Sequence, residues 1–329
     1  METIQHSGSL GARVGEKGVS FRVWAPKAHQ IEVVFDNGKA EPLDRDSTGY
    51  YYGISAHARV ETTYRYRLDG QQAFPDPCSR FQPQGPHGPS QIVDSSSYTW
   101  SDQTWPGVQM AGQVIYELHV GAFTKEGTFD AAIEQLDFLK RFGITLLELM
   151  PIAECSGRWN WGYDGVFLFA PSHRYGDHEA FKRFVDAAHQ KSLGVIVNVF
   201  YDHVGPDGNY LPAYSDDYLT DRYPSEWGRA INLDGPGSDG MREFVVQNAC
   251  YWIEEFHVDG LKVDATQSIH DASDHHILAE LSTHARRVAG PRSIVTIAEN
   301  ESQDIRAVWP LEQGGGGASM PCGATISLT

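Results

Sequence analysis

From residue 114 onward the chain repeats one rhythm, a short and nearly continuous apolar run followed by a helical stretch, and that rhythm restricts it to parallel βα units. The runs cover residues 114–120, 146–150, 194–200, 261–265 and 293–298. Between them, Phe129, Ile133, Leu136 and Leu139 fall on one helical face behind a Thr128 cap, and Phe181, Phe184, Val185 and Ala188 fall on another. Further helices are predicted over about 241–256 and 277–289. Strands apolar on both faces belong inside a sheet covered by helices, so the predicted fold is a (β/α)8 TIM barrel carrying strands one to five.

Before this region the pattern is different. Residues 19–24, 31–35 and 63–68 alternate apolar and polar, with turn signals at Asp36-Asn37-Gly38 and Asp69-Gly70 between them. This predicts a small N-terminal β-sandwich. Residues 81–90 and 100–112 are rich in Pro and Gly, lack periodicity and read as connection. The division follows at residue 110: 1–110 a sandwich with its linker, 111–329 a partial barrel.

The composition narrows the partners. A net charge of −17 argues against nucleic acid or an anionic membrane and suits a neutral substrate. No apolar run nears the roughly 20 residues of a membrane span, and the polar start lacks the regions of a signal peptide, so a cytoplasmic location is expected. Cys78, Cys155, Cys250 and Cys322 have no paired spacing, so buried thiols are expected rather than a zinc site or disulfides. No metal or organic cofactor is implied.

In such barrels functional groups sit where strands end. His203, Asp264 and Glu299 follow the third, fourth and fifth runs and would share one rim. Two carboxylates facing one sugar ring are the requirement of glycoside cleavage, one attacking the anomeric carbon and one protonating the leaving oxygen. Spacing alone also fits two helix-capping acids and a core or loop histidine. Trp159, Trp161 and Tyr163 follow the second run, where aromatic faces can stack on sugars, though one or two of them can equally pack their loop.

The residues around these positions resemble the α-amylase superfamily of glycoside hydrolases. Val263-Asp264-Ala265 is similar to its nucleophile segment, Ile297-Ala298-Glu299 to its acid segment, and the stretch ending in Asp202-His203 to its third-strand segment. The stretches 64–70, 75–90, 161–166, 205–210 and 232–238 are more similar to the malto-oligosyltrehalose trehalohydrolases, whose sandwich is of the carbohydrate-binding, early-set type. The resemblance implies a retaining hydrolase that releases trehalose from a malto-oligosaccharide-type substrate. Asp264 would be nucleophile and Glu299 acid and base, with His203, Lys262, Thr266, Gln267, Trp161 and Tyr163 on the substrate side. A glucan-branching transferase and a non-catalytic glucan-binding remnant are the rival readings.

Several positions depart from that family. Lys262 stands where it has Arg, and an ammonium is a point charge where a guanidinium is a planar fork. Asn198 and Asp202 exchange the family's acid and amide, and Gln267 replaces a frequent His. The family's barrel has three more strands and a third acid after strand seven, so this chain is expected to be inactive by itself and to expose an apolar edge. Read one nucleotide earlier, residues 318–327 can spell Gly-Phe-Asp-Ala-Val-Trp-Ser-Asp-Asp-Phe, similar to the family's sixth strand, which predicts a frameshift near Gly317.

Overall fold

A computed structural model describes residues 8–302 and residue 309. Cys322 and the stretch 318–327 lie outside the described residues. The N-terminal part is two antiparallel sheets. One contains β1 (Gly11–Gly15), β2 (Gly18–Trp24), β5 (Asp44–Arg45) and β6 (Tyr50–Ser55) in the order β1-β2-β6-β5. The other contains β3 (Ile31–Phe35), β4 (Ala40–Pro42), β7 (Thr63–Leu68) and β8 (Ala73–Phe74) in the order β4-β3-β7-β8, with β9 (Ser90–Gln91) also paired to β7.

The period-2 pattern sets which side is inside. Tyr64, Tyr66 and Leu68 of β7 are buried while the residues between them are partly exposed. Phe21 of one sheet meets Phe35 and Tyr64 of the other edge-on, with centroids 6.0 and 5.1 Å away, an arrangement that adds to simple area burial. Asp69 and Gly70 both adopt positive φ, 51° and 68°, as a two-residue hairpin turn of the primed type requires.

The second part holds five parallel strands in sequential order: β10 (Ile115–Leu118), β11 (Leu146–Leu149), β14 (Gly194–Val199), β17 (Gly260–Val263) and β18 (Val295–Ala298). The first run ends early, because His119 already caps the short α1 (Val120–Phe123). Thr128 accepts a hydrogen bond from Ala131 N as expected, but its helix is broken at Glu134 and Gln135 into α2 (Phe129–Ile133) and α3 (Leu136–Arg141). The apolar face survives the break, with Phe129, Leu136 and Leu139 all buried.

After β11 comes an antiparallel hairpin of β12 (Ala153–Cys155) and β13 (Gly165–Pro171), which the βα rhythm does not include. Its signal was the uninterrupted apolar run from Val166 to Ala170, all buried. The helices on the outside are α4 (His178–Gln190), α6 (Asp239–Glu255) and α7 (Ile277–Val288). The connection between β14 and α6 carries α5 (Leu211–Tyr214) and the paired β15 (Leu219–Thr220) and β16 (Ala230–Ile231).

On the concave face of the sheet, Leu146, Ile196, Val295 and Ile297 join Val108 in a separate apolar cluster, with Trp105 and Met110 packed against it. The alternation of side chains puts Glu117, Glu148, Asn198 and Lys262 on the same face, Glu148 two residues beyond Leu146 and Asn198 two beyond Ile196. The segment around Val108 closes the floor. Its N–H donates to Ser293 O, and Ser293 N–H donates to Pro106 O, each at 2.8 Å. Gly107 is required there, since a Cβ would lie 2.0 Å from Ser293 O.

The segment read as connection, residues 100–112, is tied to the barrel helices. His189 of α4 is buried between two carboxylates, Asp102 at 2.9 Å and Asp259 at 3.0 Å. Trp105 stacks on His189 and donates its Nε1–H to Asp259, while His257 stacks on Trp100 and bonds Asp102. The sandwich docks on α6 through Arg22, 2.5 Å from Glu243, and on the connection between β14 and α6 through Trp24, which packs edge-on against Tyr218. Of the cysteines, Cys78 and Cys155 are buried and Cys250 is half-buried, all three with free thiols.

Candidate active site

The register places Asp264 and Glu299 at equivalent ends of neighbouring strands. Asp264 N–H donates to Val199 O at 2.8 Å and Glu299 N–H donates to Val263 O at 2.9 Å, so each acid stands on the last rung of the ladder. The chain then turns at once, with Ala265 at φ 44°, a left-handed conformation costly for a residue bearing a Cβ. Thr266 fixes this turn: its N–H and its hydroxyl both donate to Glu299 O, at 2.8 and 2.7 Å, and its hydroxyl accepts from Asn300 Nδ2 at 3.0 Å. Gln267 Oε1 accepts from Glu301 N. Thr266 and Gln267 therefore brace the two loops against each other, a role the sequence did not suggest.

Lys262 does not sit primarily on the expected nucleophile. Its Nζ is 3.0 Å from Glu299 Oε2 and 3.2 Å from Glu148 Oε1, but 3.9 Å from Asp264 Oδ1. Burial works against its charge, yet Glu148 and Glu299 outweigh burial and raise its pKa. Burial and the hydrogen-bonded Glu299 carboxyl push the Asp264 carboxyl up to about 7, against the pull of Lys262 and of an Asn198 hydrogen bond. Burial likewise raises Glu148 to about 7, with Glu117 adding to it and Lys262 opposing. One ammonium thus serves three carboxyls that cannot all stay ionised cheaply. Asp264 and Glu299 stand at the ends of neighbouring strands, where both lie near the one Lys262 ammonium, at 3.9 and 3.0 Å.

Family comparisons cover both parts of the chain. Residues 89–224 match the alpha amylase catalytic domain, and residues 9–83 match carbohydrate-binding module 48, the isoamylase N-terminal domain. Malto-oligosyltrehalose trehalohydrolase of Saccharolobus solfataricus is 41% identical over 307 residues, which is 93% of this chain and 54% of that protein. A crystal structure of a candidate alpha amylase from Salmonella typhimurium superposes with a TM-score of 0.87 at 36% identity, covering 95% of this chain and 53% of that one. A 1,4-alpha-glucan branching enzyme of Rhodospirillum rubrum is 31% identical, over 78% of this chain and 38% of that protein.

The chain belongs to the α-amylase family. It spans about half the length of the curated trehalohydrolases it matches.

Around Asp264 and Glu299 the remaining candidates fall into two groups. His203 is buried, its Nδ1 bonded to Asp202 at 2.9 Å and its Nε2 to Tyr163 O at 3.0 Å. Burial disfavours its charge but Asp202 outweighs burial, so its pKa is raised. The exchanged pair thus has a clear geometry: Asp202 faces His203, while Asn198 donates to the Tyr163 hydroxyl at 3.1 Å. Burial, then the Asp264 charge, raises the Tyr163 hydroxyl.

Trp159 and Trp161 stand in the open, 85% and 76% exposed. Sequence reasoning missed Trp227, 66% exposed and stacked over His203 with centroids 5.9 Å apart. It also missed Glu148, whose place inside an apolar run was the available signal. Residues 81–90 and 205–210, singled out by resemblance, pack on each other: His87 bonds the Tyr210 hydroxyl at 2.8 Å and pairs with Asp207 at 3.2 Å. Among the described residues no His, Cys, Asp and Glu cluster is arranged to hold a metal ion.

Proposed function

We propose that this chain carries the sandwich and the first five βα units of a retaining α-glycosidase that cuts the α-1,4 bond next to the terminal trehalose of a malto-oligosyltrehalose. The carrying observation is the 41% identity with a malto-oligosyltrehalose trehalohydrolase, extending over sandwich, linker and all five strands. In this reading Asp264 attacks the anomeric carbon and expels the trehalose oxygen. Glu299 gives that oxygen its proton and then takes one from water, so that hydrolysis of the glycosyl ester restores both acids. His203 and Tyr163 hold the sugar at the cleavage point, Trp161 offers a stacking face farther out, and Lys262 balances the carboxyls. The division into sandwich and barrel is placed near residue 110.

Turnover is assayed in two versions, the 329-residue chain and one continued in the frame shifted at Gly317, because the chain spans about half the length of the relatives it matches. Trehalose release from maltotriosyltrehalose by the two versions tests it. Trehalose released by either version supports the proposal. Accumulation of branched glucan in place of trehalose would favour the branching reading. Glucan binding with no hydrolysis by either version would favour a binding remnant.

A further inference from the structure

The stretch 232–238, singled out by resemblance, holds a carboxylate that the proposed hydrolysis does not use. Asp234 follows β16, and the backbone before it is fixed from two sides: Asn232 N–H donates to Tyr218 O at 3.0 Å, and Arg242 of α6 donates to Leu233 O at 2.8 Å. The Asp234 side chain is 3% exposed, so its charge needs donors. Three donors reach it, from two different loops. Arg222 Nη1, at 2.8 Å, and the Tyr223 hydroxyl come from the connection between β15 and β16. Ala272 N, at 3.0 Å, comes from the loop that leaves the end of β17 just after Asp264. The same two loops meet a second time, where Tyr223 stacks on His270 with centroids 4.5 Å apart.

Beyond Tyr223 the connection is loosely packed. Residues 224–228 are all exposed, yet Trp227 among them reaches back to stack over the buried His203. A segment with so few buried contacts stays where its base is gripped. At the far end Arg229 pairs with Asp216 and Asp221, whose carboxylates are largely exposed, and such pairs fix little. The firm grip is at the near end, on Asp234. We propose that Asp234 is a positioning residue: it ties the connection that carries Trp227 to the loop that follows Asp264, and so holds the Trp227 ring over His203. This deepens the hydrolase reading and rests on it for the role of His203 at the sugar. Asp234 touches neither ring among the described contacts, so it acts through Arg222 and Tyr223. Asp221, an exposed acid of equal charge in the same connection, is the control.

The test follows the His203 ring by proton–carbon NMR of the histidine-labelled full chain, with His203→Gln to assign the signal. It reads the limiting shift of the protonated ring and needs neither substrate nor turnover. Trp227→Leu sets the scale, since removing the indole removes its whole ring-current effect on His203. Asp234→Ala is expected to reproduce at least about half of that change, and to move His203 no further once Trp227→Leu is already present, as a double-mutant cycle requires of two residues acting through one contact. Asp221→Asn is expected to cause less than about a quarter of the Trp227→Leu change. If Asp234→Ala does not fold, the double variant Arg222→Ala/Tyr223→Phe decides the matter: it releases the connection, leaves Asp234 in place, and is expected to move His203 as Asp234→Ala would. An unmoved His203 signal on releasing the grip overturns the proposal. So does a change of the same size when the indole is already gone, or an Asp221→Asn effect equal to that of Asp234→Ala. These outcomes are separate from the hydrolase reading, which stands or falls on trehalose release.

Discussion

The clamp on His189 gives the most quantitative handle on the molecule. Each ring nitrogen of His189 faces a carboxylate oxygen, and only the imidazolium can donate to both at once. Asp259 also accepts from Trp105 Nε1 at 2.7 Å and from Val195 N at 2.8 Å, and it is fully buried. In Asp259→Asn the remaining oxygen cannot serve both of those donors, and the imidazolium loses one counter-charge. Breaking a buried ion pair costs about 3 to 5 kcal/mol. With a urea slope of about 3 kcal/mol/M, the unfolding midpoint at pH 6 is expected to fall by roughly 1 to 1.7 M.

The pH dependence has a defined sign. Burial lowers the His189 pKa, but the two carboxylates outweigh it and the net shift is upward. Its contribution is therefore complete below the unfolded value of about 6.5 and is lost as pH rises through the folded value. Burial opposes the charge on Asp102 too, but its two histidine hydrogen bonds outweigh it and depress the carboxyl. That contribution is present above about pH 4 and is lost in more acid solution. The difference in stability between the unaltered chain and Asp259→Asn should thus be largest between about pH 4 and 6.5 and shrink towards pH 9. A midpoint change below about 0.3 M, or a difference constant from pH 5.5 to 9, refutes the reasoning.

Three further outcomes are expected. Gly240→Ala puts a methyl 2.2 Å from the Trp24 ring, so overpacking at the sandwich–barrel contact should cost about 1 to 3 kcal/mol, read as a lowered urea midpoint and relieved by Trp24→Ala in the same chain. Trp161→Ala should leave stability within about 0.5 kcal/mol, because the ring is exposed, while weakening maltoheptaose binding several-fold in a fluorescence titration. Asp202→Asn should lower the His203 pKa, followed by histidine NMR; an unmoved value would mean that the Asp202 contact does not hold the imidazolium.

What the sequence disclosed follows from the range of each interaction. Strands such as Gly194–Val199 are apolar on both faces, so the barrel region was legible from a window of a few residues. Asp264 and Glu299 were legible because the strand end fixes where each carboxyl must go. Glu148 was not, since its partner Lys262 lies 114 positions along the chain and two strands away, a meeting set by register. The His189 clamp was hidden for the same reason, gathering Asp102, His257 and Asp259 from a connection and a strand entry. The β12–β13 hairpin was missed because a strict βα alternation absorbed its apolar run into a loop. Lys262 was placed beside the right group of acids, but only three-dimensional distances reveal that it favours Glu299.

The account turns on Asp264 and Glu299 forming a retaining pair for a trehalose-ended glucan, and the anomer of the first product tests that most directly. Maltotriosyltrehalose is added to the frame-restored chain and the new reducing end is followed by proton NMR before mutarotation. The account predicts trehalose together with the α-anomer of maltotriose, abolished in Asp264→Asn. The β-anomer appearing first, or hydrolysis that continues without Asp264, would contradict it.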